Sequence, residues 1–96
     1  MYILTHDAKQ IVNSEFVERL CVAAKDDAAL VIASYDDKRP PVTLTRCATL
    51  AEAKDALYDL LTALSAKQRH YIMPETLYYA AERRKKDART KRKGGS

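Results

Sequence analysis

The sequence predicts an α+β fold: a small antiparallel β-meander of four to five strands packed against one amphipathic helix, with a basic, partly helical or disordered C-terminal tail. Three observations lead there. Short apolar runs bounded by turn residues fill the first half of the chain. A capped, leucine-rich helical pattern follows over residues 49–66. Beyond residue 81 the apolar content fades and Lys and Arg take over. Strands followed by a helix, with no β-α-β alternation, favour a sheet covered on one face. The expected division is a compact domain over 1–73 and a basic helix or tail over 74–96.

Tyr2–Thr5 and Gln10–Asn13 are two short β-forming runs across the polar link His6-Asp7-Ala8-Lys9, which reads as a hairpin. Phe16–Lys25 satisfies both a helical and a strand pattern, and Arg19-Leu20-Cys21-Val22-Ala23 tips it to a strand. Asp26-Asp27 then makes a turn. Leu30–Tyr35 is β-branched in its middle and apolar on both faces, as a central strand requires. Pro40 and Pro41 close the next loop, because proline cannot donate to a ladder. From Val42 the sequence alternates, with Val42 and Leu44 expected in the core and Thr43 and Thr45 on the other side.

Thr49-Leu50-Ala51-Glu52 is a capping box: the Thr49 hydroxyl takes the Glu52 N–H, and the Glu52 carboxylate is expected to return to the Thr49 N–H. The helix then runs to about Ala66. Leu50, Ala53, Leu57, Leu60, Leu61 and Leu64 form its expected apolar face. After Tyr71-Ile72-Met73, Pro74-Glu75 opens a second helix expected to reach about Asp87. Beyond Lys85 the composition turns disorder-like, and Gly94-Gly95-Ser96 reads as flexible.

Ninety-six residues suit one domain. The net charge of +4 hides a split. Residues 1–81 carry nine Lys/Arg against eleven Asp/Glu, and residues 82–96 carry eight against two. The body is mildly acidic and the end strongly basic, a distribution that points to an acidic partner. Cys21 and Cys47 form no metal-ligand or redox spacing and read as free, buried thiols, with a disulfide open only if their strands are neighbours. The N-terminus has neither a basic stretch nor a long apolar run, so a signal peptide is not expected. The longest apolar run, Ala28–Ala33, is too short to span a bilayer. Cytoplasmic location is the expectation.

Catalytic signals are weak. His6-Asp7 has the residue types of an oriented general base, but neighbours in a turn rarely aim at each other, and a solvated turn is the simpler reading. Neither cysteine has the electropositive setting of a nucleophile. Asp26-Asp27 and Asp36-Asp37 lack the further oxygen ligands of a calcium loop. The only glycines are Gly94 and Gly95, so no phosphate-cradling loop is present in the body. No catalytic, metal or cofactor site is expected, and the chain does not read as an enzyme.

The cationic stretch carries the functional expectation. Arg83, Arg84, Lys85, Lys86, Arg89, Lys91, Arg92 and Lys93 are the residues expected to contact nucleic acid or an acidic protein. Leu77, Tyr78 and Tyr79 form an expected interaction patch, and the two tyrosines have the chemistry to stack on bases. The basic segment lacks the bulky apolar face of a membrane-surface helix. The chain thus reads as a non-catalytic interaction or adaptor module whose tail meets an acidic partner, and whose body docks a protein or a second copy. The alternative is a nucleic-acid-associated accessory protein that binds DNA or RNA non-specifically through its tail.

Tyr2-Ile3-Leu4-Thr5, Gln10-Ile11-Val12-Asn13-Ser14 and the ending Lys86-Asp87-Ala88-Arg89-Thr90-Lys91-Arg92-Lys93-Gly94-Gly95-Ser96 resemble a group of short Firmicute proteins, many encoded in mobile-element regions. The resemblance implies a cytoplasmic bacterial protein with a native Gly-Gly-Ser end. No activity is attached to that group, so no residue inherits a role.

Overall fold

The computed structural model describes the backbone of residues 1–36 and 38–94 and the side chains of 1–36 and 38–86. The expectations placed on Asp37, Gly95 and Ser96, and on the side chains of Arg89, Lys91, Arg92 and Lys93, lie outside the described residues.

The fold is α+β. Tyr2–Leu4 (β1) and Ile11–Asn13 (β2) form the N-terminal antiparallel hairpin. Its loop is organised by Asp7, whose Oδ1 accepts the Thr5 hydroxyl at 2.6 Å and the Lys9 N–H at 3.0 Å. Those donors hold the Asp7 carboxyl below its ordinary range, the Thr5 bond contributing most. Ala8 is left-handed in this loop, at φ 59°.

A single 3₁₀ turn, Ser14–Phe16, leads to β3 (Arg19–Lys25). β3, β4 (Ala28–Ser34) and β5 (Val42–Cys47) form an antiparallel meander in the order β3-β4-β5. Lys25 pairs with Ala28, so Asp26-Asp27 is a two-residue hairpin loop, with Asp26 at φ 53°. β4 is the central strand, as its two-sided apolar pattern requires. Ala29, Val31 and Ala33 face the main core, while Leu30, on the opposite face, borders a cavity with Arg46 and Tyr78.

β5 departs from the alternation read in its sequence. Val31 pairs with Thr45 but Ile32 pairs with Thr43, which leaves Leu44 as the extra residue of a β-bulge. The bulge buries both Leu44 and Thr45, so Thr45 does not share the exposed side of Thr43. It also takes the Leu44 carbonyl out of the ladder, and that oxygen accepts the His6 N–H at 3.0 Å.

α1 (Leu50–Ser65) lies on the meander and buries Ala53, Leu60 and Ala63, with Ala56, Leu57 and Leu64 half-buried. Leu50 and Leu61, expected on the inner face, are 48% and 55% exposed. The alanines let the helix sit close to the sheet, and the buried stripe is rotated toward Ala56 and Ala63. The helix ends with Gln68 N–H on the Ala63 carbonyl, Lys67 N–H on the Leu64 carbonyl and Lys67 at φ 56°, a Schellman closure with lysine in the usual glycine position.

The chain then returns to the hairpin. β6 (His70–Ile72) pairs with β1 in parallel, giving a second sheet of order β2-β1-β6. The single meander of four to five strands expected from sequence is therefore six strands in two three-stranded sheets. The difference comes from β6: three residues long, it carries no strand signal of its own and is defined by its pairing with β1. Ile3, Val12 and Met73 join the same buried cluster as Val31, Leu44, Cys47 and Leu60, so the two sheets share one core.

α2 (Leu77–Gly94) begins against β5 and continues to Gly94, past the Lys85 at which the composition turns disorder-like. It starts two residues later than the Pro74-Glu75 signal suggests. From Ala81 to Lys86 every residue is exposed. The chain as a whole extends 52 × 27 × 25 Å.

Cys21 pairs with Ile32 and Cys47 with Ala29, so β4 separates the two thiols. Two strand spacings, about 10 Å, exceed the reach of a disulfide, and both cysteines are free. Cys47 is fully buried; burial foremost, and the Glu52 carboxylate second, push its thiol up to about 11. Cys21 is only half-buried. Because the folded pKa of Cys47 lies above the ordinary 9.0, its neutral burial stabilises the fold below pH 9 and that contribution fades toward pH 11. In native protein at pH 8 an aromatic disulfide reagent will modify Cys21 first and Cys47 only on unfolding, and Cys21→Ser will leave the native protein unreactive. Two equally fast thiols would contradict the packing.

Candidate functional site

The start of α2 is tied to the body by a small set of specific contacts. Thr49 caps α1 as expected, its Oγ1 accepting the Glu52 N–H at 3.1 Å. The Glu52 carboxylate does not return to the Thr49 N–H. Oε1 accepts the Ala48 N–H at 2.9 Å, and Oε2 reaches across to the Leu77 N–H at 2.8 Å. One carboxylate thus ties the residue before the Thr49 cap of α1 to the first turn of α2, where an unpaired N–H and the helix dipole favour negative charge.

Thr76, buried, donates its hydroxyl to the Arg46 carbonyl of β5, and its own carbonyl accepts the Ala80 N–H. One turn later Tyr79 stacks on His6, ring centroids 3.6 Å apart and planes 4° from parallel. Tyr78 meets Tyr79 edge to face at 5.3 Å. Burial raises the Tyr79 phenol above its ordinary range, against the Arg46 backbone, the Arg46 side chain and the Thr45 hydroxyl, which favour the phenolate. Thr45 Oγ1 is itself buried and closes no hydrogen bond, so it acts on Tyr79 as a nearby dipole rather than a bonded partner.

These contacts settle what becomes of the residues singled out from sequence. His6 and Asp7 do not form a dyad: Asp7 is engaged by Thr5 and Lys9, and His6 is turned onto Tyr79. Leu77 is 61% exposed, but Tyr78 and Tyr79 are half-buried against the body, so the three do not make one exposed patch. Arg83, Arg84, Lys85 and Lys86 are all exposed. Arg83 pairs with Glu75 at 2.7 Å and Lys85 with Glu82 at 3.7 Å, exposed ion pairs worth about 0–1 kcal/mol each. Arg89, Lys91, Arg92 and Lys93 belong to the same helix by its backbone. Sequence reasoning missed Glu52 as an α2 cap and His6 as the ring under Tyr79, because each joins distant parts of the chain.

A cavity of about 570 Å³ opens at the root of α2, bordered by His6 and Tyr79 on one side and by Glu75, Arg83 and Lys86 on another. Among the described residues no group of His, Cys, Asp and Glu could hold a metal ion, and no helix is long and apolar enough to cross a membrane. No protein-family model, curated protein or solved structure matches this chain, so no relative supplies a role for any residue.

Glu52→Ala will leave the Ala48 and Leu77 N–H groups without their acceptor. A cap of this kind is worth about 0.5–2 kcal/mol. Urea unfolding monitored by circular dichroism should show a loss in that range, and amide exchange should accelerate through the first turn of α2. Unchanged exchange at Leu77 and Ala80 would show that the carboxylate does not hold α2.

Proposed function

We propose that this chain is a non-catalytic interaction module that presents a basic helix to an acidic partner. The observation that carries this reading is the run Ala81–Lys86, which stays helical with every residue exposed. A helix stretch that is polar all round buries no face in a core, so its side chains are open to a partner. It carries eight Lys/Arg against two Asp/Glu over residues 82–96, on a body whose own charge is −2. Two free thiols suit a reducing cytoplasm.

Nucleic acid is the acidic partner that a long cationic helix suits best. An 18-residue helix spans about 27 Å, and cations along its length suit a run of phosphates. Titration of labelled single- and double-stranded oligonucleotides across a salt series will separate the readings. Full-length protein should bind with an affinity that falls with salt by roughly 0.7–0.9 log units per contacted phosphate, and a chain ending at Ala81 should lose binding. Absence of binding at low salt would direct the helix to an acidic protein instead.

The body offers a separate surface for a second copy. An apolar groove of about 330 Å³ runs between β3 and α1, lined by Leu20, Leu57, Tyr58, Leu61 and Leu64. Tyr58 and Leu61 at its rim are 70% and 55% exposed. The middle of α1 carries Asp55 and Asp59 beside Lys54 at the groove, and the chain just past its end carries Lys67 and Arg69. Two α1 helices set antiparallel about a two-fold axis would bring Tyr58 of each copy to the groove of the other, with opposite charges aligned. Sedimentation equilibrium should give twice 10.8 kDa, and Leu61→Asp should return the monomer with its circular dichroism spectrum intact. A wild-type monomer at the highest soluble concentration would remove this interface.

A further inference from the structure

We propose that the cavity at the root of α2 takes a nucleobase together with its phosphate, so that the partner of the basic helix is a single strand rather than a duplex or an acidic protein. This rests on the reading of α2 as an anion-binding helix and goes beyond it by giving the strand a second, base-recognising contact.

The cavity combines the two chemistries a nucleotide needs. His6 and Tyr79 are already stacked at 3.6 Å and 4°, the spacing and tilt of successive bases. A planar base laid on the outer face of His6 extends that stack by one layer. Every base has a π-face, so such a platform accepts a strand without sequence preference. Tyr78, edge-on to Tyr79, buttresses the pair from behind. The platform is also held from below: the His6 N–H is fixed on the Leu44 carbonyl, and the Tyr79 ring is fixed by the α2 anchor at Thr76 and Leu77. Little rearrangement is then required on binding.

Across the cavity stand Arg83, Lys85 and Lys86. The two carboxylates there are already engaged, Glu75 by Arg83 and Glu82 by Lys85. Glu75 sets the guanidinium of Arg83 at 2.7 Å, leaving its remaining N–H groups for a phosphate oxygen. From that point the cations of α2 continue away from the platform, so a strand with one base on His6 has a cationic track for its following phosphates. The volume of about 570 Å³ falls within the range of small-ligand sites and accommodates one nucleotide. A duplex keeps its bases stacked inside and cannot offer one to His6 without unpairing.

The test is fluorescence anisotropy at low salt with full-length protein and four probes: a labelled thymidine strand, the same strand with abasic sites, its duplex, and an oligoglutamate peptide. Unlabelled adenosine monophosphate is added as competitor. The base-bearing strand should bind roughly tenfold tighter than the abasic strand, the fold expected of one base on an aromatic platform. His6→Ala should abolish that preference. Because His6 also supports Tyr79, wild-type protein gives an independent readout: the His6 and Tyr79 ring protons should shift upfield in NMR on adding the thymidine strand and stay fixed with the abasic one. Equal binding of both strands would overturn the platform and leave the charge reading standing. Binding of oligoglutamate alone would do the same and identify a protein partner. Efficient competition by the mononucleotide would assign the cavity to free nucleotides rather than a strand, and no binding of any probe would remove the reading of α2 itself.

Discussion

The Glu52 carboxylate is the interaction on which the architecture turns. At the third position of α1 it accepts the N–H of Ala48, just before the Thr49 cap, with one oxygen and that of Leu77 with the other. Leu77 opens α2, where an unpaired donor and the positive end of the dipole favour a negative charge. The consequence is geometric. The turn from β5 into α1 and the beginning of α2 are held at one point, and α2 is thereby laid on β5. Thr76 then meets the Arg46 carbonyl, and Tyr79 meets His6. The same carboxylate adds to the field that keeps the buried Cys47 neutral.

The bulge at Leu44 plays the corresponding part for the two sheets. A regular β5 would direct every carbonyl along the ladder or to solvent. The extra residue frees the Leu44 carbonyl for the His6 N–H, which pins the end of the N-terminal hairpin to the meander. Burial of Ile3, Val12 and Met73 beside Leu44 and Leu60 then makes one core of two small sheets. The bulge also turns Thr45 inward and buries its hydroxyl. It also places that hydroxyl beside the Tyr79 phenol, so the same irregularity shapes the root of α2.

How far the fold was legible follows from the range of the interaction that defines each element. The N-terminal hairpin, the central β4 and the Thr49 cap are set by residues within a few positions of one another, and the sequence displays them. β6 is three residues whose only definition is a parallel ladder to β1, and a ladder across most of the chain leaves no local trace. The bulge was hidden by a regular Val42-Thr43-Leu44-Thr45 alternation, because the hydrogen bond that goes with it comes from His6, far away in sequence. Leu50 and Leu61 were placed inside by their hydrophobicity, yet Ala56 and Ala63 determine how closely the helix approaches the sheet. At the candidate site the cations were visible from composition alone. The His6–Tyr79 stack was not, since its partners lie at opposite ends of the chain.

The anchor and the charge of α2 are parts of one device. A helix with neighbouring cations and no buried face has little reason to form alone, because nucleation is costly and like charges at i, i+3 and i, i+4 repel. The body removes the first obstacle by ordering the opening turn through Glu52, Thr76 and Tyr79, so every later residue only propagates the helix. The dipole helps from the other end, because the sequence places Lys91, Arg92 and Lys93 in the final turn, where positive charge is favoured. What remains is repulsion among the cations, which the Arg83–Glu75 and Lys85–Glu82 pairs relieve in part and an anionic partner would relieve further. Anything acidic that binds the helix therefore also stabilises it, by the same free energy that the helix contributes to holding the partner. On the proposed reading, the acidic body supplies the first turn of α2 and an anionic ligand would complete the rest, so the two charged halves of the chain would act together.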